Sequence, residues 1–354
     1  MGTYKIYNFT DIHFGKQNNN RIRFDYTYGY LCKVVEHIIG DTDSEGDIVV
    51  FGGDLFDDRN IIDVMQLIEV KNLFAQLASR IKVYMVQGNH DQYERYDIKH
   101  SALDLFSDIE NITVIDKPTL IKGDTVLLMP YYEDNDAFVR DINATRTKAT
   151  KLLFCHAPIT GNHFFSGKDS ACVNADSLKC FDKVITGHFH QRNLYRNIHY
   201  TGAFQQNDFS DANLDNGFDV FVVDDKGKIA DDVFVKNDCS PKYVVRNINT
   251  KEEFDDIVAN CSHELKNNYV KFVIDRSIDD VVTKDLNSLN MRSLTYSFKK
   301  DLVIESIDSG VDYDNISMLG EINSYIDGFG LDENTATELK DIVKDAFDKY
   351  GDGQ

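Results

Sequence analysis

The chain has 354 residues, 42% of them apolar and 12% aromatic, enough for a large buried core and, by length, for two or three domains. Charged residues make up 27%, there are 4 Pro, and no run of 18 apolar residues occurs, which excludes disordered, collagen-like and membrane-spanning chains. With 38 Lys and Arg against 59 Asp and Glu the net charge is -21, so a polyanion can be bound only where the charge is locally reversed.

From the N-terminus, Lys5 to Phe9 alternates and runs straight into a charged motif, unlike a targeting segment. Ile6 stands where a myristoylation signal needs Ser or Thr. Buried-strand patterns follow at Ile48–Phe51, Ile81–Val86, Leu127–Met129, Leu152–Phe154 and Val184–Ile185, with helical periodicity over Arg23–Ile39, Ile61–Leu77 and Ala137–Thr147. This alternation predicts an α/β layered domain. Leu194–Tyr200, Phe218–Val223 and Val233–Val235 read as strands, the last two joined by a turn at Asp224–Gly227, so that one sheet is expected to be parallel to mixed and another largely antiparallel.

Asn237–Pro241 reads as a linker. Beyond it, strand Lys242–Arg246, helix Lys251–Asn260, strand Tyr269–Ile274, a helix near Asp279–Leu289 and strand Arg292–Phe298 predict a small second domain. Two amphipathic helices, Ile316–Ile326 and Asn334–Tyr350, carry apolar stripes that need a surface, on this chain or on a partner. The expected domains are therefore residues 1–240, 241–310 and 311–354. Six scattered cysteines without a C-x-x-C pair fit reduced thiols in a cytoplasmic protein.

Five motifs stand at the ends of expected strands: Asp11-Ile12-His13, Gly52-Gly53-Asp54, Gly88-Asn89-His90-Asp91, Cys155-His156-Ala157 and Gly187-His188-Phe189-His190. In extended backbone residues i and i+2 point the same way, so Asp-x-His and His-x-His each deliver two ligands into one volume. Glycine beside them permits sharp turns and close approach, and strand C-termini are where open α/β sheets bind ligands. Each motif alone is weak; the ordered set is specific. Oxygen and imidazole donors without thiolate favour Mn²⁺, Fe²⁺, Mg²⁺ or Zn²⁺. Two such ions bring +4 against -2 from Asp11 and Asp54, leaving the site locally positive, and remote charges are screened beyond about 8 Å.

In this order the motifs resemble the calcineurin-like metallophosphoesterase superfamily, over residues 11 to 190. The GDLFDD form at Gly53 to Asp58, the small second domain and the terminal helices further resemble the SbcD-type double-strand-break-repair nucleases, including the nuclease subunits of large-bacteriophage recombination endonucleases. The resemblance implies a four-layer sandwich, two sheets flanked by helices, with a small α+β capping domain that touches DNA and C-terminal helices that bind an SbcC-like ABC ATPase. It implies one metal on Asp11, His13, Asp54 and His190 and a second on Asp54, Asn89, His156 and His188, Asp54 being the bridge. The ions, most often Mn²⁺, would lower the pKa of a shared water from about 15.7 toward about 7 for attack on phosphorus.

By the same resemblance His90 is no ligand but a catalytic group that stabilises the transition state or protonates the leaving oxygen. Asp91 either orients His90 or caps a helix beginning near Ile98. Asp57 departs from the family pattern, in which many relatives carry His. The expected activity is a Mn²⁺-dependent DNA exonuclease or endonuclease acting on double-strand ends and single strands, as a homodimer with a separate ATPase, since the chain has no P-loop. A phosphatase or small-molecule phosphodiesterase of the same fold, and a structural subunit clamping DNA and ATPase, are the rivals. His37, His100, His199 and His263 stand outside motifs and read as ordinary histidines; His163 could touch substrate or pack a loop, and Tyr131-Tyr132 could stack on a base or pack at the rim.

Overall fold

The computed structural model describes residues 2–94, 100–160, 172–260, 265, 267–278, 293–298, 337 and 340. Two units are distinguished, Met1–Lys299 and Lys300–Gln354; of the second, only Thr337 and Lys340 are described, both helical. The expected helices over 279–289 and 316–326, most of that over 334–350, and His163 and His263 lie outside the described residues.

In chain order the elements are β1 (Thr3–Phe9), α1 (Lys16–Asn19), α2 (Arg21–Asp41), β2 (Ile48–Phe51), α3 (Val64–Ala78), β3 (Lys82–Val86), β4 (Ile112–Ile115), β5 (Thr119–Ile121), β6 (Val126–Met129), α4 (Asn135–Thr145), β7 (Leu152–Cys155), β8 (Lys183–Thr186), β9 (Asn193–Tyr195), β10 (Ile198–Tyr200), β11 (Gly217–Asp224), β12 (Ile229–Lys236), β13 (Tyr243–Ile248), α5 (Lys251–Asn260), β14 (Tyr269–Ile274) and β15 (Ser293–Phe298). Helix starts are chemically marked: Asn20, Asp63 and Asp134 cap α2, α3 and α4 by accepting from backbone N–H groups two or three residues on.

Two six-stranded sheets form, in the orders β12-β11-β1-β2-β3-β4 and β5-β6-β7-β8-β10-β9. β1 to β4 are parallel and so are β6, β7, β8 and β10, whereas β11, β12, β5 and β9 are antiparallel additions. Both sheets are thus mixed, and the expectation of one largely antiparallel sheet is not met: β11 and β12 extend the parallel sheet at β1 instead of building their own. The expected single strand Leu194–Tyr200 is a hairpin, because Arg196 takes a left-handed turn (φ 56°) and β9 folds back on β10.

Strand alternation sorts the core into three slabs. Ile6, Ile48, Val50 and Val86 of the first sheet meet Leu128, Leu152, Phe154 and Ile185 of the second. The other faces carry Phe9, Val49, Phe51 and Met85 toward α2 and α3, and Leu127, Met129, Leu153 and Val184 toward Phe138 and Ile142 of α4. The result is helix, sheet, sheet, helix: an α/β four-layer sandwich. A third sheet, β13-β14-β15, is parallel throughout, with α5 burying Phe254 against Phe272. No helix among the described residues is long and apolar enough to cross a membrane.

Phe154 (1% exposed) packs edge-on against Phe221 of the opposite sheet, centroids 6.1 Å apart. Phe154→Ala is expected to cost about 3–5 kcal/mol, read from denaturant unfolding; a loss below about 1 kcal/mol would mean the slab between the sheets is not close-packed there.

Candidate metal centre

The five motifs follow β1, β2, β3, β7 and β8 directly. Parallel register aligns the ends of β1, β2 and β3, Phe9 opposite Phe51 and Phe51 opposite Met85, and aligns Cys155 with Thr186. Three motifs therefore leave one sheet and two leave the other, at the edge where the sheets meet. The local geometry differs from the extended i, i+2 convergence expected of Asp-x-His. Asp11, His13, Asp54 and His188 all have left-handed backbone, with φ between 53° and 79°, which costs about 1–3 kcal/mol per residue. Backbone bonds from Asp11 N–H to the Gly53 carbonyl (2.9 Å) and from His13 N–H to the Asp54 carbonyl (3.1 Å) hold the two turns in that shape. Gly53 (φ 105°) and Gly187 are needed for closeness: a Cβ on either would lie 2.7 Å from His156 Nδ1 or from Asp11 Oδ2 respectively.

Asp11 (0% exposed) and Asp54 (2%) are buried together with His13 and His156. Asp54 Oδ2 lies 3.3 Å from His156 Nε2 and 3.7 Å from His13 Nε2, so it reaches both halves of the cluster. On one side His13 Nε2 is 3.9 Å from Asp11 Oδ1 and 3.3 Å from His190 Nε2. On the other, Asn89 Oδ1 lies 3.1 Å from His156 Nε2 and 2.8 Å from His188 Nδ1. All seven residues expected as ligands are thus assembled in two groups that share Asp54, and Asp11, His13 and His190 form one set of donor atoms within 4.8 Å of each other, as do Asp11, Asp54 and His156.

The donor chemistry fits divalent ions. His156 Nδ1 faces the Gly52 carbonyl (2.9 Å) and His190 Nδ1 faces the Asp211 carboxylate (3.0 Å), which places the proton on Nδ1 and leaves each Nε2 as a bare lone pair. Those lone pairs point at other acceptors, Asn89 Oδ1 and Asp54 Oδ2 in one case and His13 Nε2 in the other. Acceptors converging without a hydrogen between them call for a cation, and oxygen with imidazole nitrogen is the donor set of Mn²⁺, Fe²⁺ and Zn²⁺.

Without metal, protons take that place. Burial disfavours a charged His13, but the carboxylates of Asp11 and Asp57 outweigh it and push the imidazole up to about 10. For His156 burial is likewise overcome, by Asp54 and Asp11, and its pKa rises to about 9. Burial and the neighbouring His156 charge push His188 down to about 4, so it is neutral. Burial also opposes ionisation of Asp54, yet the charges on His156 and His13 hold it well below the carboxylate range.

His90 is half-buried beside the pair. Its Nδ1 lies 2.6 Å from the Asp57 carbonyl oxygen and its N–H donates to Asp54 Oδ1 (2.9 Å). Asp91 does not orient it. Both Asp91 oxygens are taken by backbone N–H groups, of Asp54 (2.8 Å), Leu55 (2.9 Å) and Gly88 (2.8 Å), and Asp91 is fully buried. The expected helix start near Ile98 lies outside the described residues, and the short turn Ala102–Phe106 is capped by Ser101. The Asp91 carboxylate ties the turn after β2 to the turn after β3. Burial and the Asp54 charge push its pKa to about 7 against the pull of those three donors.

Two further carboxylates, Asp57 within the GDLFDD stretch and Asp211 outside any motif, support the donors. Asp57 faces His13 Nδ1 (3.3 Å) and Lys16 Nζ (2.9 Å), and both hold it down at about 2 although burial opposes them. Asp211 is buried in a turn 21 residues beyond His190. Tyr131 stacks on His188 (6.0 Å, 22°) and Tyr132 donates to Asp141 (3.0 Å), so both tyrosines have packing roles. His199 pairs with buried Asp219 (2.8 Å) and His37 sets its ring edge on Phe218, in keeping with structural histidines.

Residues 4–192, more than half of the chain, match the profile of the calcineurin-like phosphoesterases. The chain belongs to that family. Members are metal-dependent hydrolases, and the two donor groups are the counterpart of that chemistry here. Among curated phosphoesterase relatives, protein 078R of invertebrate iridescent virus 3, named as a phosphoesterase, is 27% identical over 224 residues, 59% of this chain and 62% of the relative. Exonuclease subunit 1 of enterobacteria phage T4 is 28% identical over 176 residues, 48% of this chain and 51% of the relative. The matches span less than two thirds of either relative's length.

Because ligands must be unprotonated, metal binding at pH 7 has to displace protons from His13 and His156. Apparent affinity for Mn²⁺ is therefore expected to rise with pH until about pH 9–10, with proton release seen by calorimetry in buffers of different ionisation enthalpy. An affinity unchanged between pH 6 and 9 would contradict the protonated resting site.

Proposed function

We propose that the chain is the nuclease subunit of a DNA end-processing complex, a Mn²⁺-dependent phosphodiesterase working on double-strand ends and single strands in recombination and repair. The observation that carries the hydrolytic part is the pair of donor groups joined by Asp54, with His90 beside them. Two divalent ions, when bound, would neutralise phosphate oxygens and supply a water acidic enough to attack phosphorus near neutral pH. Asp11, His13, Asp54 and His190 would hold one ion and Asp54, Asn89, His156 and His188 the other.

His90 has a separate task in this reading. With Nδ1–H given to the Asp57 carbonyl, its other nitrogen is free to hold a proton and pass it to the leaving oxygen. Its ring stands edge-on to His13 at 4.8 Å, close enough to share a phosphate with the ion on that side. Asp91 serves indirectly, by locking the turns that carry Asp54 and Asn89.

DNA as substrate is supported by the phage T4 relative, named an exonuclease subunit. "Subunit" also supports a second chain, for which we propose an SbcC-like ABC ATPase, because this chain has no P-loop. The capping role of residues 241–310 and ATPase docking by residues 311–354 belong to the same proposal. A homodimer is supported by exposed apolar residues on and just before α3, Ile61 (65% exposed), Val64 (67%), Met65 (57%) and Ile68 (46%), and by Ile22 (60%) on α2, which Arg21 ties to Glu69 of α3. Apolar surface of this kind is seldom left in water.

Cleavage of labelled linear duplex and single-stranded DNA with Mn²⁺ tests the activity. His90→Ala is expected to lose about 10²- to 10⁴-fold in rate while still binding two Mn²⁺, and Asp54→Ala to lose metal as well. DNA left intact, with the ATPase present, by a protein that hydrolyses a small bis-ester would end the nuclease reading in favour of a small-molecule phosphodiesterase. For the dimer, the double change Val64→Glu and Met65→Glu is expected to convert dimers to monomers in light scattering; a monomeric wild type at high micromolar concentration would refute it.

A further inference from the structure

Arg23 stands in the first turn of α2, only 3% exposed, and among the described residues no carboxylate pairs with its guanidinium. Nη2 donates to the Gln206 carbonyl (2.6 Å) and to Asn207 Oδ1 (3.2 Å), and the guanidinium lies over the Tyr243 ring, 5.6 Å from its centroid. A buried cation with only neutral partners is costly, and in a chain of net charge -21 carboxylates are not scarce. What lies beyond Asn207 gives this arrangement a purpose.

Asn207 donates its backbone N–H to Asp211 Oδ2 (2.8 Å), and Asp211 accepts from His190 Nδ1 (3.0 Å). Arg23 and Asp211 thus grip the peptide unit between Gln206 and Asn207 from two sides, its carbonyl toward the cation and its N–H toward the anion, an alignment in which each hydrogen bond strengthens the other. The first residue of β13 holds the same segment at two further points. Tyr243 N–H donates to Gln206 Oε1 (2.6 Å), and the Tyr243 ring meets Phe209, which opens the turn Phe209–Asp211, edge-on at 5.0 Å. Tyr243 is itself stacked on Tyr269 of β14 at 4.7 Å.

We infer that Arg23 is a positioning residue for His190, acting through Asn207 and Asp211, and that Tyr243 makes the third sheet part of the same clamp. The inference rests on His190 being a metal ligand. Its content is that the aim of one imidazole at the metal centre is set from α2 and β13, outside the two sheets that carry the ligands, so that a partner displacing β13 would loosen one metal site and spare the other.

The test is Mn²⁺ binding to the full chain, followed by calorimetry and by the electron paramagnetic resonance of the bound ions. Arg23→Gln and Asp211→Asn are each expected to weaken one of the two sites roughly 10- to 100-fold and to change the other less than twofold. Arg23→Lys should recover most of the loss by restoring the charge. Tyr243→Leu should weaken the same site, and Tyr243→Phe, which keeps the ring, should not; this pair decides the matter if Arg23→Gln does not fold. Should Asp211→Asn weaken one site while Arg23→Gln binds both ions as wild type does, even with a lowered melting temperature, Arg23 serves packing alone and the inference is wrong. Should Asp211→Asn leave both sites unchanged, His190 is no ligand, and the metal assignment fails along with the inference built on it.

Discussion

Two carboxylates buried where two sheets meet can stay ionised only among cations, and this requirement organises the molecule around Asp54. Its Oδ2 stands 3.3 Å from His156, which leaves the second sheet, and 3.7 Å from His13, which leaves the first. Each imidazole offsets the cost of burying the charge, and with metal bound the ions would take over that role. The left-handed backbone at Asp11, His13, Asp54 and His188 is strain of the kind tolerated only where surrounding structure over-determines it. Here the over-determination is visible: backbone bonds join the first two turns, and Asp91 binds three N–H groups of the second and third.

Around the donors lies a layer of groups that fix which imidazole nitrogen is bare. A backbone carbonyl does this for His156, a carboxylate for His190, and for His90 the carbonyl of Asp57. The choice of partner has consequences. A carbonyl fixes a tautomer without adding charge, whereas Asp211 adds a negative charge beside its ring and makes that nitrogen a stronger donor to a cation. Asp57 combines both, its carboxylate facing His13 and Lys16 while its carbonyl holds His90. A histidine side chain at this position would lack that carboxylate, and with it the contacts to His13 and Lys16.

The metal centre also draws on parts of the chain remote from the motifs. The segment 205–211 is tied to α2 by Arg23, with Gln205 donating to Thr27, and to β13 by Tyr243. Between the sheets, below the donors, Thr201 donates to Asn8 (2.8 Å) and His199 meets Asp219 (2.8 Å), polar contacts that set the spacing of the two sheets where the ligands emerge. Close packing on either side, as of Phe154 on Phe221, keeps that spacing from relaxing.

Residue order and spacing determined the α/β class, most strand and helix positions, and the five motifs that the fold brings together, while the choice of seven residues within them came from the resemblance of the ordered set to the phosphoesterases. They did not reveal that three motifs leave one sheet and two the other, since strand pairing is decided by contacts between residues far apart in sequence. The same limit hid the hairpin at Arg196, where one left-handed residue reverses a strand that alternation reads as continuous, and it misassigned Asp91, whose neighbour in sequence is His90 but whose bonds go to Asp54 and Leu55. Asp211 and Arg23 could not have been found at all: neither sits in a motif, and only folding sets them in one chain of contacts ending at His190. Residue type is written locally, but which lone pair meets which proton depends on distances of about 3 Å that only the packed structure sets.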